Sequence, residues 1–311
     1  MKLLPATLLA AVTSSSAFGW GCEGHQIVAL VASRHLTTEA RAEVYQLLKD
    51  HPIDPALSRF CQPPATEPMA DAATWADDSK RSEKTGPWHY MDIPRGVEHA
   101  DLMKYCEPVG DSKDGKDRPG CVLTGLQYEF DILKDHNRSS VERATALLYV
   151  IHFVGDLHQP LHTTTNDDQG GNCTSVTLFE DPKRANLHGA WDYGIIAHYL
   201  KQNNQTPEQM AAQLDRRYQS KGQNWLHGRI DFGEWIREGH QIAEKVTYNQ
   251  LHPKLPVAPA ANGPGCAAER EKSTALKIDI DSRYAAAAMP VIDKQLAKAG
   301  YRLADVLNSA F

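Results

Sequence analysis

HFVGDLHQPLH, residues 152–162, places three histidines and an aspartate at the end of a run that is otherwise apolar. Before it, Ser140 and the segment VERATALLYVI (141–151) are apolar on more than one face, the pattern of a central buried helix. Pro160 should end that helix. On it His152 and Asp156 stand four residues apart and share a face, while His162 falls just past the proline, where the chain turns. NLHGAWD (186–192) repeats the device, with Asn186 placed to cap a helix and His188 and Asp192 again at i and i+4. Either pair alone reads as an ion pair or a satisfied core histidine. Two such pairs in apolar helices are costly without partners, and a metal ion supplies the partner.

The rest of the chain is mostly helical in pattern. GHQIVALVASRHL (24–36) and TEARAEVYQLL (38–48), the second capped by Thr37 or Thr38, carry apolar residues at three- and four-residue spacings. Further helices are expected around 207–220, 231–250 and 280–307. SVTLF (175–179) is the clearest strand, and the Pro/Ala/Gly-rich residues 252–266 read as a loop tethered by Cys266. With no internal repeat, one mainly α-helical domain over residues 20–311 is the expected architecture.

The 311 residues are 41% hydrophobic and 23% charged, an ordinary globular balance. Lys2, the apolar LLPATLLAAV and the small-residue SSSAFG give residues 1–19 the layout of a secretory signal, with cleavage after Gly19 leaving Trp20 first. The apolar stretch falls short of the roughly 20 residues of a membrane span, so an exported protein with no membrane partner is expected, periplasmic or secreted. The formal charge of −6, one unit more negative without Lys2, argues against broad wrapping of nucleic-acid phosphates. Six cysteines with no C-x-x-C spacing read as three disulfides, buried free thiols being the plainer alternative. Cys106 and Cys121 bracket a Gly/Asp/Lys-rich loop that a bridge would tie off.

Three upstream stretches add nitrogen and oxygen ligands: WGCEGH (20–25) holds His25, WADDSK (75–80) holds Asp77, and WHYMDIP (88–94) holds His89 and Asp92. Each alone reads as a surface polar residue. Together, with no cysteine among them, they suit zinc in catalytic sites.

In order along the chain, W-G-x-x-G-H, W-A-D, W-H-Y-x-D, H-F-x-G-D-x-H-Q-P-L-H, G-G-N (170–172) and N-L-H-x-x-W-D make the sequence similar to the S1/P1 nuclease family of zinc-dependent, single-strand-preferring exported nucleases. The resemblance implies a mainly α-helical single domain with a trinuclear zinc cleft, a fold of the phospholipase C/P1 nuclease type. It implies three Zn2+: one held by Asp77, His89, His152 and Asp156; one by His162, His188 and Asp192; and one by the backbone amine and carbonyl of Trp20 with His25 and Asp156, which bridges two metals. Asp77 would also orient the attacking water, and Lys80 would add a positive contact. Tyr90 would stack on a nucleobase, Asp92 would accept hydrogen bonds from its edge, and Asn172 would contact substrate. Single-stranded DNA and RNA, cut to 5′-phosphate products, and 3′-nucleotides are the implied substrates of a monomer. Zinc-dependent phospholipase C shares the three-zinc arrangement but ends its ligand set in Glu rather than Asp192. A non-catalytic zinc-binding protein would need neither Lys80 nor Tyr90.

Overall fold

The computed structural model describes residues 20–107, 119–179, 181–258 and 265–311. The expected secretory segment 1–19 lies outside them, as do residues 108–118 and 259–264 of the two loops. Helices carry most of the described chain: α1 Cys22–Ala32, α2 Thr38–Asp50, α3 Pro68–Ala72, α4 Trp75–Glu83, α5 Val122–Lys134, α6 Ser140–Asp156, α7 Leu187–Gly189, α8 Ile195–Asn203, α9 Pro207–Leu226, α10 Phe232–Ile242, α11 Gly265–Leu276 and α12 Ser282–Ala310. None of them is long and apolar enough to cross a membrane.

α6 is the helix the opening stretch belongs to. Ser139 caps it in a reciprocal box: its hydroxyl accepts from the Glu142 N–H at 3.3 Å, and the Glu142 carboxylate accepts from the Ser139 N–H at 3.0 Å. Every residue from Ala146 to Asp156 is buried, which explains why its apolar pattern has no polar stripe. The helix stops at Asp156, three residues short of the expected Gln159. Gln159 precedes a proline and is extended (φ −88°, ψ 115°), and the N–H groups of His158 and Gln159 bond three residues back, to Gly155 and Asp156. Pro160 then opens a 3₁₀ turn, Pro160–Thr163, that carries His162.

α5 packs along α6, while α1, α9 and α12 pack on one another and α1 and α12 also reach α6. The caps follow local chemistry: Thr37 accepts from Ala40, Thr206 and Gln209 form a second box spanning Pro207 at the first helical position, and Asp281 accepts from Tyr284. Asn186 accepts from the Gly189 N–H at 2.6 Å, as expected. The helix it starts widens into a π segment, Ala190–Gly194, before α8.

The expected strand forms as β1, Ser175–Leu178, and ends before Phe179, which takes φ +50°. It is the middle of three strands, antiparallel to β2 (Asp181–Asn186, Val176 opposite Ala185) and parallel to β3 (Ile278–Ile280, Val176 opposite Ile278). All six cysteines are bridged, as Cys22–Cys61, Cys106–Cys121 and Cys173–Cys266.

Candidate metal centre

The C-terminal end of α6 meets α1, α4 and the 3₁₀ turn Gly86–His89, and the Pro160–Thr163 turn that follows it brings His162 against His188 of the segment from α7 to the π turn, so that each element brings polar side chains to one buried locus. Three groups result: His25 with His152 and Asp156; Asp77 with His89 and His152; and His162 with His188 and Asp192. Within each group one donor atom per residue lies within 4.8 Å of the others, and every member is buried. The two oxygens of Asp156 face different groups. Oδ1 stands 3.3 Å from His25 Nε2, while Oδ2 stands 3.1 Å from His89 Nδ1 and 3.2 Å from His152 Nε2. Asp77 Oδ1 is 3.6 Å from His89 Nδ1, and His188 Nε2 is 3.1 Å from Asp192 Oδ2. Donors about 2.0–2.1 Å from one tetrahedral ion stand about 3.4 Å apart, the scale of these separations.

Backbone carbonyls orient the rings from behind. Nδ1 of His152 bonds to Ala73 O at 2.7 Å, Nδ1 of His162 to His89 O at 2.6 Å and Nδ1 of His188 to Gly170 O at 2.6 Å, which leaves each Nε2 its lone pair. His25 Nδ1 makes no hydrogen bond despite burial, and His25 Nε2 and Asp156 Oδ1, 3.3 Å apart, make none to any other group. Such atoms are costly to bury, and a cation held between them would offset that cost. The protonation pattern agrees. Burial pushes His25, His89 and His162 below the usual imidazole range, so they are neutral donors. Burial opposes a charge on His152 too, but the Asp156 and Asp77 carboxylates outweigh it and raise that ring to about 9. Asp156 lies well below the usual carboxylate range although burial works the other way, because His152 and His162 face it. The donor set fits zinc: neutral imidazoles and carboxylates, with no thiolate.

Trp20 is fully buried beside His25. A Cβ on Gly24 would come 2.6 Å from Trp20 Cβ, and one on Gly155 would come 2.8 Å from His25 Nδ1, so α1 and α6 can bring these residues together only through glycine. The Gly21 N–H donates to Asp192 O at 2.8 Å, tying the start of the described chain to the third group.

A cavity of about 430 Å³ opens beside the groups, lined by Lys80, Arg81, Tyr90, Asp92, Gln169, Asn172 and His188 among others. Tyr90 is partly exposed there. Lys80 is buried, with Nζ 3.2 Å from Asp77 Oδ1. Burial, and then the Asp168 carboxylate, raises Asp92 to about 6 against the pull of His188. The Asn172 amide donates to Gln169 O at 2.9 Å. The ligand and substrate-contact residues singled out from sequence thus lie in one buried cluster and the wall of the adjoining cavity.

One histidine of the opening stretch does not. His158 points into the helical core, with Nδ1 on Val154 O at 2.8 Å and Nε2 on the Arg302 guanidinium at 3.0 Å. Conversely, sequence reasoning passed over Asp168, whose buried carboxylate takes the N–H groups of Asn166 and Gly171 and the hydroxyls of Thr174 and Tyr248, and so holds the loop 166–174 in shape. Within TNDDQGGN it reads as an ordinary turn residue. Arg81 on the cavity wall carried no signal beyond its neighbour Lys80.

The model of the S1/P1 Nuclease family matches residues 20–311. Nuclease S1 of Aspergillus oryzae is 27% identical over 318 residues, covering 99% of this chain and 97% of that protein. Endonuclease 2 of Arabidopsis thaliana is 28% identical over 310 residues (94% and 91% covered), and Nuclease P1 of Penicillium citrinum is 26% identical over 299 residues (93% and 97% covered).

Proposed function

The chain belongs to the S1/P1 nuclease family and is a nuclease, and from that premise we propose that it is an exported, zinc-dependent endonuclease of single-stranded DNA and RNA. It cleaves the P–O3′ bond to leave 5′-phosphates and also takes 3′-nucleotides. The observation that carries this reading is the junction of the three His/Asp groups with a cavity whose wall holds an aromatic ring, a carboxylate and two cationic side chains.

Asp77, His89, His152 and Asp156 would hold one zinc; His162, His188 and Asp192 a second; His25 and Asp156, with the main chain of Trp20, a third. When bound, zinc there lowers the pKa of a coordinated water to about 7 and draws charge from phosphate oxygens. The side chains do the rest. Asp77 Oδ1, held by Lys80 Nζ at 3.2 Å, orients the attacking water, and the Lys80 ammonium offsets charge on the phosphate. Tyr90 stacks on the base, contributing roughly 1–3 kcal/mol and tolerating every base. Asp92 and Asn172 bond to polar groups of the nucleotide. A base within a duplex has no free face for Tyr90, so single strands are preferred.

Residues 1–19 act as the export signal, and the mature protein is a monomer. Release of acid-soluble nucleotides from single-stranded RNA, beside duplex RNA and beside phosphocholine release from lecithin, tests the reading. Single-stranded RNA should be degraded fastest. Release of phosphocholine without nucleotides would overturn the proposal in favour of a phospholipase.

A further inference from the structure

Gln159 lies between the proposed ligands of all three metals and is itself fully buried. Its main chain belongs to the turn after α6: the Gln159 N–H donates to Asp156 O at 3.0 Å, and Gln159 O accepts from the His162 N–H at 3.0 Å. Its side chain reaches across to the segment after α7. Oε1 accepts from the Leu161 N–H at 2.6 Å, and Nε2 donates to Asp192 Oδ1. The orientation of the amide follows from chemistry. A backbone N–H can only donate, so the oxygen must face Leu161, and the NH₂ group is then the one aimed at the carboxylate.

That bond divides the labour of Asp192. Oδ1 is occupied by Gln159, while Oδ2 stays 3.1 Å from His188 Nε2. A carboxylate with one oxygen taken offers a metal a single oxygen. The same amide holds Leu161, the residue before His162, so one side chain fixes two of the three members of the His162–His188–Asp192 group and joins them through the main chain to Asp156. His188 has its own support from Gly170 O.

We infer that Gln159 is a positioning residue that keeps Asp192 a one-oxygen ligand and locks the His162–His188–Asp192 group in register with the groups around Asp156. The inference rests on the proposed metal-binding role of these residues. Partners that orient a metal's ligands typically change affinity 10–100-fold when removed.

Two variants test it. Gln159→Met keeps the volume and removes both bonds. Gln159→Glu keeps an acceptor for Leu161 but replaces the donor to Asp192 with an oxygen. The readouts are zinc per chain by mass spectrometry, the rate of zinc release to a chromophoric chelator, and the melting temperature of the metal-stripped protein. Both variants should release one zinc per chain about 10–100-fold faster than wild type, with the other zincs unchanged and the stripped proteins melting together. Wild-type release from Gln159→Glu would overturn the inference, because holding Leu161 would then suffice. Should Gln159→Met fail to fold, Gln159→Glu alone decides. A wild-type protein that binds no zinc would instead overturn the reading of the metal centre.

Discussion

The imidazole of His188 is aimed by Gly170, whose carbonyl oxygen lies 2.6 Å from Nδ1 and whose backbone takes φ +60°. A side chain there is disfavoured by conformation and by space, since an added Cβ would sit 2.5 Å from Leu161 O. Gly170→Ala should therefore lower stability by about 1–3 kcal/mol and weaken zinc retention at the His162–His188–Asp192 group. Thermal unfolding and zinc analysis check both effects, and an unchanged zinc content would show that Gly171 and Asp168 hold the loop without it.

Asp156 turns one oxygen to His25 and the other to His89 and His152. Chelation should abolish nuclease activity and lower the melting temperature, because the stripped cluster leaves carboxylates buried without their cations. Asp156→Ala should be the most damaging single change, costing more than one zinc per chain and roughly 100-fold or more in turnover, beyond what loss of an orienting partner costs. Retention of about three zincs with normal turnover would sink the assignment.

Tyr90 is partly exposed on the cavity wall. Tyr90→Ala should reduce kcat/KM on single-stranded oligonucleotides by the equivalent of about 1–3 kcal/mol and leave zinc content alone. Unchanged kinetics on oligonucleotides and 3′-nucleotides would return the ring to a packing role.

Glu129 on α5 is buried away from the cluster, and burial pushes its carboxyl from 4.5 up to about 8. The folded protein keeps a proton that the unfolded chain has released. Its contribution to stability is thus fully present below pH 4.5 and is lost as pH rises through about 8. A neutral amide in place of the acid would carry no such dependence. Glu129→Gln should match wild type near pH 5 and exceed it at pH 9 by on the order of a few kcal/mol. Parallel denaturation curves at the two pH values would refute this.

Trp20 presents its own test. If its α-amine binds zinc, an amide in its place cannot, because an amide nitrogen has no available lone pair. Protein with extra residues left ahead of Trp20, verified by intact mass, should hold about one zinc fewer and lose most of its activity while remaining folded. The unperturbed amine titrates near 7.7–8.0, so that zinc should also be the one lost first as pH falls. Full zinc and activity in the extended chain would leave Trp20 a buried aromatic only.

Much of the site was legible because helix geometry is legible. His152 with Asp156 and His188 with Asp192 stand four apart in sequence and share a locus in space, and Asn186 caps as its type predicts. What the sequence hid depends on pairing through space. β2 reads as DPKRAN, with only Ala185 apolar and no alternation to mark a strand, and forms because β1 offers it a partner. The π segment at Ala190–Gly194 has no residue signature. Gln159 acquires its role only when Asp192, distant in sequence, comes to it, and Asp168 when its own loop curls round its carboxylate and Tyr248 closes on it, whereas His158, the plausible candidate, is claimed by Arg302 from α12. α4, WADDSKRSE, is too polar to display an apolar stripe, whereas α5 carries one in Val122, Leu126, Phe130 and Leu133, all buried.

The three disulfides each fasten a different wall of the centre. Cys22–Cys61 clips the start of the helix bearing His25, Cys106–Cys121 lies at the head of α5, where the Val122 N–H holds Tyr90 O, and Cys173–Cys266 anchors the loop just after Asn172. The bridges therefore brace the cleft as well as the fold: each closes a loop close to a side chain at the metal centre or on the cavity wall, so the entropy they remove from the unfolded chain is removed where the ligands must converge.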